Sequence, residues 1–132
     1  MSNISDTVPI PKVDLVFAVS TVAANAQDTF DKIKQAFNNI VIKHGTSSIQ
    51  YGFIVFGNNA ITRLALGERF NDIESLKRLI GVFSRPSGTP NIKKALDLAK
   101  KMFSGSRGRP DARKVLVLIT DKDSRYSFER LK

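Results

Sequence analysis

The residue types that perform acid–base or nucleophilic chemistry are scarce in this sequence. It contains no cysteine and one histidine, His44, which lies at the end of the first predicted helix, away from the strand ends where ligands bind. Asp121 and Asp123 are a pair of carboxylates after the last predicted strand, but they face different ways if that segment is extended. We therefore expect that the protein is not an enzyme.

The loop after the first apolar run also excludes nucleotide chemistry. Residues 13–25, VDLVFAVSTVAAN, begin as a buried strand and end in a loop without glycine. Phosphate-binding loops need glycines at this place, because the backbone must approach the phosphate closely. A dinucleotide-binding or phosphate-loop enzyme is therefore not expected.

Strand-like and helix-like patterns alternate along the chain. Apolar runs predict strands at residues 13–19, 49–56, 60–66 and 115–120, and a turn at 57–59 joins the middle two as an antiparallel hairpin. Helical spacing predicts three helices. Asn25 is the expected cap of the first, and Asn71 with Glu74 is the capping pair that begins the second. The third is expected to bury Ile92, Ala95 and Ala99. This order predicts an α/β fold, a doubly wound and mostly parallel sheet with helices on both faces. Residues 115–120 are continuously apolar, which predicts a central strand covered on both faces.

The charge is concentrated in the second half of the chain. The net charge is +9, and residues 85–132 carry thirteen Lys and Arg against five Asp and Glu. Such a surface attracts polyanions, including glycosaminoglycans and nucleic acids. The candidate polyanion-binding residues are Lys93, Lys94, Lys100, Lys101, Arg107, Arg109, Arg113 and Lys114. No apolar stretch is long enough to span a membrane.

Ligands of such a sheet bind beyond the carboxyl ends of the strands, which selects the loops at residues 20–25, 87–91 and 121–124. Together with SGTPNIKKAL and GRPDARKVLVLITD, these loops resemble the von Willebrand factor type A domain and the inserted domain of integrin α chains. The resemblance covers residues 13 to about 124. It implies an N-terminal lead-in at residues 1–12 and a type A-like domain at 13–132.

The resemblance also implies where a metal would bind. In the family, an Asp-x-Ser-x-Ser motif, a threonine and an aspartate hold a magnesium or manganese ion at the metal-ion-dependent adhesion site. These positions fall on Ser20, Val22, Ala24, Thr89 and Asp121. Val22 and Ala24 have no side-chain oxygen and Ser20 is neutral, whereas a hard divalent ion requires oxygen ligands. We expect a degenerate site with no metal cofactor, or at most weak Mg²⁺ binding.

The function implied by the resemblance is non-catalytic binding. We expect a secreted adhesion module that contacts an extracellular-matrix protein such as collagen. Alternatives are polyanion binding, for example to heparin, and a cytoplasmic scaffold role. Family members have two further strands, so we expect the last strands to be missing and the edge of strand 115–120 to favour self-association.

Overall fold

The computed structural model describes residues 11–21, 26–68, 70 and 72–120. These residues form four strands, β1 (Val13–Ser20), β2 (Ile49–Phe56), β3 (Ala60–Leu64) and β4 (Arg113–Thr120). Three helices accompany them, α1 (Ala26–His44), α2 (Ile73–Gly81) and α3 (Ile92–Ser104). None of the described helices is long and apolar enough to cross a membrane.

The sheet has the order β3-β2-β1-β4, and β1 is paired along both of its edges. Phe17 in β1 lies opposite Phe53 in β2 and Val117 in β4, and both pairings are parallel. Strand β3 returns antiparallel to β2 through the turn at residues 57–59. The predicted doubly wound, mostly parallel α/β fold with one hairpin is therefore confirmed.

Helices cover both faces of the sheet, because the side chains of β1 alternate between two apolar clusters. Phe17 and Val19 face a cluster that contains buried side chains of α1 and α2. Val16 and Ala18 face the opposite cluster, which contains Ile92, Ala95 and Ala99 of α3. A strand buried on both faces reads as a continuous apolar run, and this explains the sequence of β1.

Aromatic rings fill the first of these clusters. The Phe37 ring of α1 meets the rings of Phe17 and Phe53 edge to face, with centroids 4.9 and 5.1 Å apart. Phe30 and Tyr51 extend the same group. Edge-to-face rings gain about 1 kcal/mol beyond the area that they bury, so this cluster anchors α1 firmly on the sheet.

The structure corrects three details of the sequence prediction. β4 is parallel, as expected, but it lies at the edge of the described sheet rather than at its centre, and its side chains pack against both apolar clusters while staying only half-buried. β3 ends at Leu64 rather than at residue 66. Asp72, not Asn71, caps α2, because its carboxylate accepts a hydrogen bond from Ser75 N at 2.8 Å. Asn71 and the expected cap Asn25 lie outside the described residues.

The turn between β2 and β3 packs against the loop that precedes α3. Asn58 N donates to the Ser87 carbonyl at 3.2 Å, and Asn91 N donates to the Gly57 carbonyl at 2.9 Å. Gly57 is required here because a Cβ at this position would overlap the Ser87 carbonyl. The two segments are thus held together by backbone contacts.

We expect Gly57→Ala to destabilise the protein by about 1–3 kcal/mol, because the Ser87 backbone must move to admit the added methyl group. Gly81→Ala is the matched control, since a Cβ at Gly81 meets nothing within 4 Å. Gly81 ends α2, where alanine is the better helix former. Urea unfolding of both variants measures the difference, and equal stabilities would contradict the close approach.

Candidate binding site

The carboxyl end of β1 carries two buried hydroxyl groups. Ser20 and Thr21 are both 0% exposed. Neither hydroxyl oxygen has a hydrogen-bond partner in the described part of the chain. A buried polar group left in this way costs free energy, of the order of 1–3 kcal/mol. Both hydroxyl groups at the end of β1 are therefore polar groups that the described residues leave unpaired.

Thr89 lies at the same edge of the sheet, in the loop before α3. Its backbone N–H donates to Asn58 Oδ1 at 2.9 Å. Gly88, with φ of +87°, brings the backbone directly over the Asn58 side-chain amide, where a Cβ would overlap it. Asn58, Thr89 and the start of α3 line a pocket of about 280 Å³. This edge therefore has a small, open and polar depression.

Arg85 places a positive charge beside the end of β1. Its guanidinium makes a long hydrogen bond, 3.5 Å, from Nη1 to the carbonyl oxygen of Thr21. The side chain is half-buried, so the charge is held at the edge rather than extended into solvent. Sequence reasoning missed Arg85. The signal that could have found it is its position in the segment between the second and third helices, next to the loop selected by the strand-end rule.

The described residues at this edge do not fit a divalent cation. Ser20, Thr21 and Thr89 offer neutral hydroxyl groups, and the nearby guanidinium repels a cation. Among the residues that the structure describes, no group of three or more His, Asp or Glu could hold a metal ion. Three of the five expected ligand positions, Val22, Ala24 and Asp121, lie outside the described residues.

Two of the eight candidate polyanion-binding residues are instead engaged by a buried carboxylate. Asp14, in β1, is 0% exposed. Arg109 donates to Asp14 through Nε and through its backbone N–H, each at 2.9 Å, and Lys114 Nζ lies 2.6 Å from the same side chain. Arg109 also donates to the carbonyl groups of Val13 and Ser48. These two cations hold the start of β4 against β1 and β2.

The pKa of Asp14 reflects two opposing effects. Burial alone raises it, but hydrogen bonds from Lys114 and Arg109, together with the charge of Lys114, bring it below the ordinary value of 3.8. Asp14 is therefore ionised at neutral pH. Its signal in the sequence is a single charge at the start of an apolar run.

The other six candidates lie on the exposed surface, some with local partners. Lys93 is paired with Asp97, one turn further along α3, at 3.1 Å, and Lys94 donates to Asn59 Oδ1 at 2.8 Å. Arg107 Nη1 donates to the Gly67 carbonyl at 3.2 Å. Lys100, Lys101 and Arg113 are exposed. The structure thus leaves a smaller basic surface than the sequence predicted.

A larger cavity, about 1000 Å³, opens at the opposite edge of the sheet. Its basic lining residues are bound to protein acceptors: Lys12 to Asp111, Arg107 to the Gly67 carbonyl and Arg109 to Asp14. Tyr51 lies on its wall, donates to the Gly45 carbonyl at 2.7 Å, and burial raises the pKa of its hydroxyl to about 12. The single histidine, next to Gly45, ends α1 near this edge rather than near the site.

The chain thus has a mostly parallel sheet between two helical layers, with the end of β1 and the loop before α3 at one edge. These features define a class of α/β binding domains. The family model described as the von Willebrand factor type A domain matches residues 14–131. The chain belongs to this family, as its sequence resemblance indicated.

Similar proteins include matrix components. The collagen alpha-6(VI) chains of Homo sapiens and Mus musculus are each 28% identical over 116 residues, which is 86% of this chain. The chain spans about 5% of the length of these curated relatives.

Solved structures share the fold. Proximal thread matrix protein 1 from the mussel byssus has a TM-score of 0.73 at 22% identity, covering 89% of this chain and 32% of that one. The structure of the same protein with zinc in its metal-ion-dependent adhesion site (MIDAS) motif has a TM-score of 0.70 at 21% identity. It covers 84% of this chain and 29% of that one. An aerotolerance-related membrane protein from Bacteroides fragilis has a TM-score of 0.61 at 26% identity, covering 87% and 57%.

We expect Asp14→Asn to destabilise the protein by about 3 kcal/mol at neutral pH, because Arg109 and Lys114 lose their buried counter-charge. The folded-state pKa of Asp14 lies below its unfolded value, so its contribution is complete above about pH 3.8 and is lost as the pH falls further. The difference in unfolding free energy between wild type and variant should shrink over that acidic range. Urea unfolding at a series of pH values measures it.

Asp111→Asn is the matched control. Asp111 also pairs with a lysine, Lys12, at 2.8 Å, but both side chains are more than half exposed. Exposed pairs contribute little, so this variant should unfold like the wild type at neutral pH. If both variants lost the same stability, the buried position of Asp14 would have no special role.

Proposed function

We propose that the domain is a non-catalytic adhesion module that binds an extracellular-matrix protein, such as a collagen. This binding does not require the metal ion that the family holds at the carboxyl edge of its sheet. The observation that carries this proposal is the family match over residues 14–131, together with the similarity to collagen VI chains. The mussel byssus matrix protein supports it through the shared fold. An extracellular location follows from the same relatives.

The chemistry of the site supports binding rather than catalysis. The described carboxyl edge holds hydroxyl groups, amides and one guanidinium, and none of these has an adjacent general base. His44 ends a helix that runs back toward the other edge. A surface that presents polar groups without activating them is suited to recognition.

We expect the protein to bind immobilised collagen equally well in magnesium and in EDTA, because the neutral Ser20 cannot attract a cation as a carboxylate does. Surface plasmon resonance in the two buffers measures this. Isothermal titration with Mg²⁺ should show no binding tighter than about millimolar.

A collagen affinity that fell sharply in EDTA would contradict the metal-free mechanism. A micromolar Mg²⁺ site that disappeared in Asp121→Ala would contradict it independently. If the wild-type protein failed to bind matrix proteins in either buffer, the adhesion function itself would be wrong.

Polyanion binding is a second candidate, which the exposed lysines of α3 favour. Lys100 and Lys101 are adjacent and exposed in the second half of that helix. Arg109 and Lys114 contribute less to this candidate than the sequence predicted, because they bind Asp14.

Self-association through β4 stays a prediction.

We expect the protein to be retained on heparin in a salt-dependent way, because polyanions release condensed counterions when cations bind them. Lys100→Glu and Lys101→Glu should each elute at lower salt than the wild type. Lys43→Glu, with the same charge change on α1 across the sheet, is the control and should elute later than either of them. Equal elution of all three variants would mean that only net charge matters.

A further inference from the structure

Tension along β1 and β4 acts on all of their pairing at once. The two strands are parallel neighbours, and they pair in register from Val13 with Arg113 to Ser20 with Thr120, eight pairs in all. The chain enters β1 at the amino edge of the sheet and leaves β4 at the carboxyl edge. A pull on the chain before β1 and after β4 therefore slides the strands along each other. It loads the evenly spaced hydrogen bonds of the parallel ladder together rather than one after another.

Side chains reinforce the end of this ladder at which the pull enters β1. Arg113 N donates to the Lys12 carbonyl at 2.9 Å, which joins the chain before β1 to the start of β4. Asp14 lies opposite Lys114 in the register, and its buried carboxylate is 2.6 Å from Lys114 Nζ. Charge-assisted hydrogen bonds are about twice as strong as neutral ones. The amino end of the ladder is therefore linked through the backbone and through an ion pair.

Arg109 adds a second link from the segment before β4. It donates to Asp14 from Nε and from its backbone N–H, each at 2.9 Å, and from Nη2 to the carbonyl groups of Val13 and Ser48 at 2.8 and 2.9 Å. Sliding β1 by one residue would break these bonds and leave the Asp14 charge buried without its partners. It would also turn side chains such as Phe17 to the opposite apolar cluster. Stepwise slippage is thus opposed, and the ladder must fail as a whole.

We propose that the pairing of β1 with β4, closed at its amino end by Asp14, Arg109 and Lys114, is a mechanical clamp that keeps the domain folded under tension along the chain. This inference goes beyond the adhesion function, in which a bound matrix partner is a source of such tension. The force acts on the strand pairing and not on a ligand, so the resistance depends on the direction of the pull and is measured without any partner.

The direct test compares two directions of pull on the full chain. The sequence contains no cysteine, so a pair of introduced cysteines can attach the molecule to the two handles of an optical trap. In Pro11→Cys with Lys132→Cys, the pull slides β1 along β4. In Pro11→Cys with Arg113→Cys, the pull acts at two exposed positions at the amino edge and separates the pairs one after another.

The sliding direction should require about twofold or more higher force than the separating direction, because the ladder shares the load. It should fail in a single event that releases residues 13–120 and lengthens the chain by about 350 Å. Equal forces in the two directions would overturn the proposal. So would the release of β2, β3 or the helices in a separate event before the ladder fails.

The second test examines Lys114→Gln in the sliding direction. This variant removes one of the two cations from Asp14 and leaves Arg109 in place. Forced unfolding is governed by the unfolding rate, so at constant force the variant should unfold about tenfold faster or more, since it loses a hydrogen bond to a charged group. Lys93→Gln is the control, because it breaks an exposed ion pair, 3.1 Å to Asp97, within α3 and should unfold at the wild-type rate. Equal rates for the two variants would overturn the role of the ion pair in the clamp.

The outcomes separate this inference from the adhesion function. A direction-dependent force in a protein that binds no collagen would support the clamp and overturn the adhesion function. Collagen binding by a protein that unfolds at the same force in both directions would support the adhesion function and overturn the clamp.

Discussion

The parallel pairing of β1 with both neighbouring strands is the constraint on which the rest of the structure depends. It places the ends of β1, β2 and β4 at common edges of the sheet. It also buries β1 almost completely. The only charge within that buried strand, Asp14, must then be neutralised from elsewhere. Arg109 and Lys114 do so, and these two ion pairs hold the strands together at the amino edge of the sheet.

The two edges therefore differ in the use of charge. At the amino edge, Arg109 and Lys114 form ion pairs with the buried Asp14 and thereby stabilise the fold. In the sequence, the same two residues look like part of a basic surface. At the carboxyl edge, the cation Arg85 has no carboxylate partner among the described residues, and the hydroxyls of Ser20 and Thr21 have no hydrogen-bond partner among them either. The family uses this edge for a cation. The described residues of this chain present a cation of their own.

Much of the fold could be predicted because the periodicity of apolar residues depends on local geometry. The bounds of β2 and the apolar stripe of α3 follow from such patterns and are confirmed. The position of β4 at the edge of the described sheet follows from the family resemblance and not from its apolar run, since such a run does not reveal how many strands lie beside it. The roles of Arg109 and Lys114 also depend on a partner about a hundred residues earlier, which no local pattern indicates.

The distance along the chain between Asp14 and Lys114 has a consequence for folding. Their contact joins residues 100 positions apart, and the parallel pairing of β1 with β4 has the same separation. Closing so long a loop costs conformational entropy before any contact offsets it, and topologies of this kind fold slowly. During synthesis, β1 emerges long before the strand that completes it. The edge of β1 that pairs with β4 therefore stays unpaired until almost all of the described domain has left the ribosome.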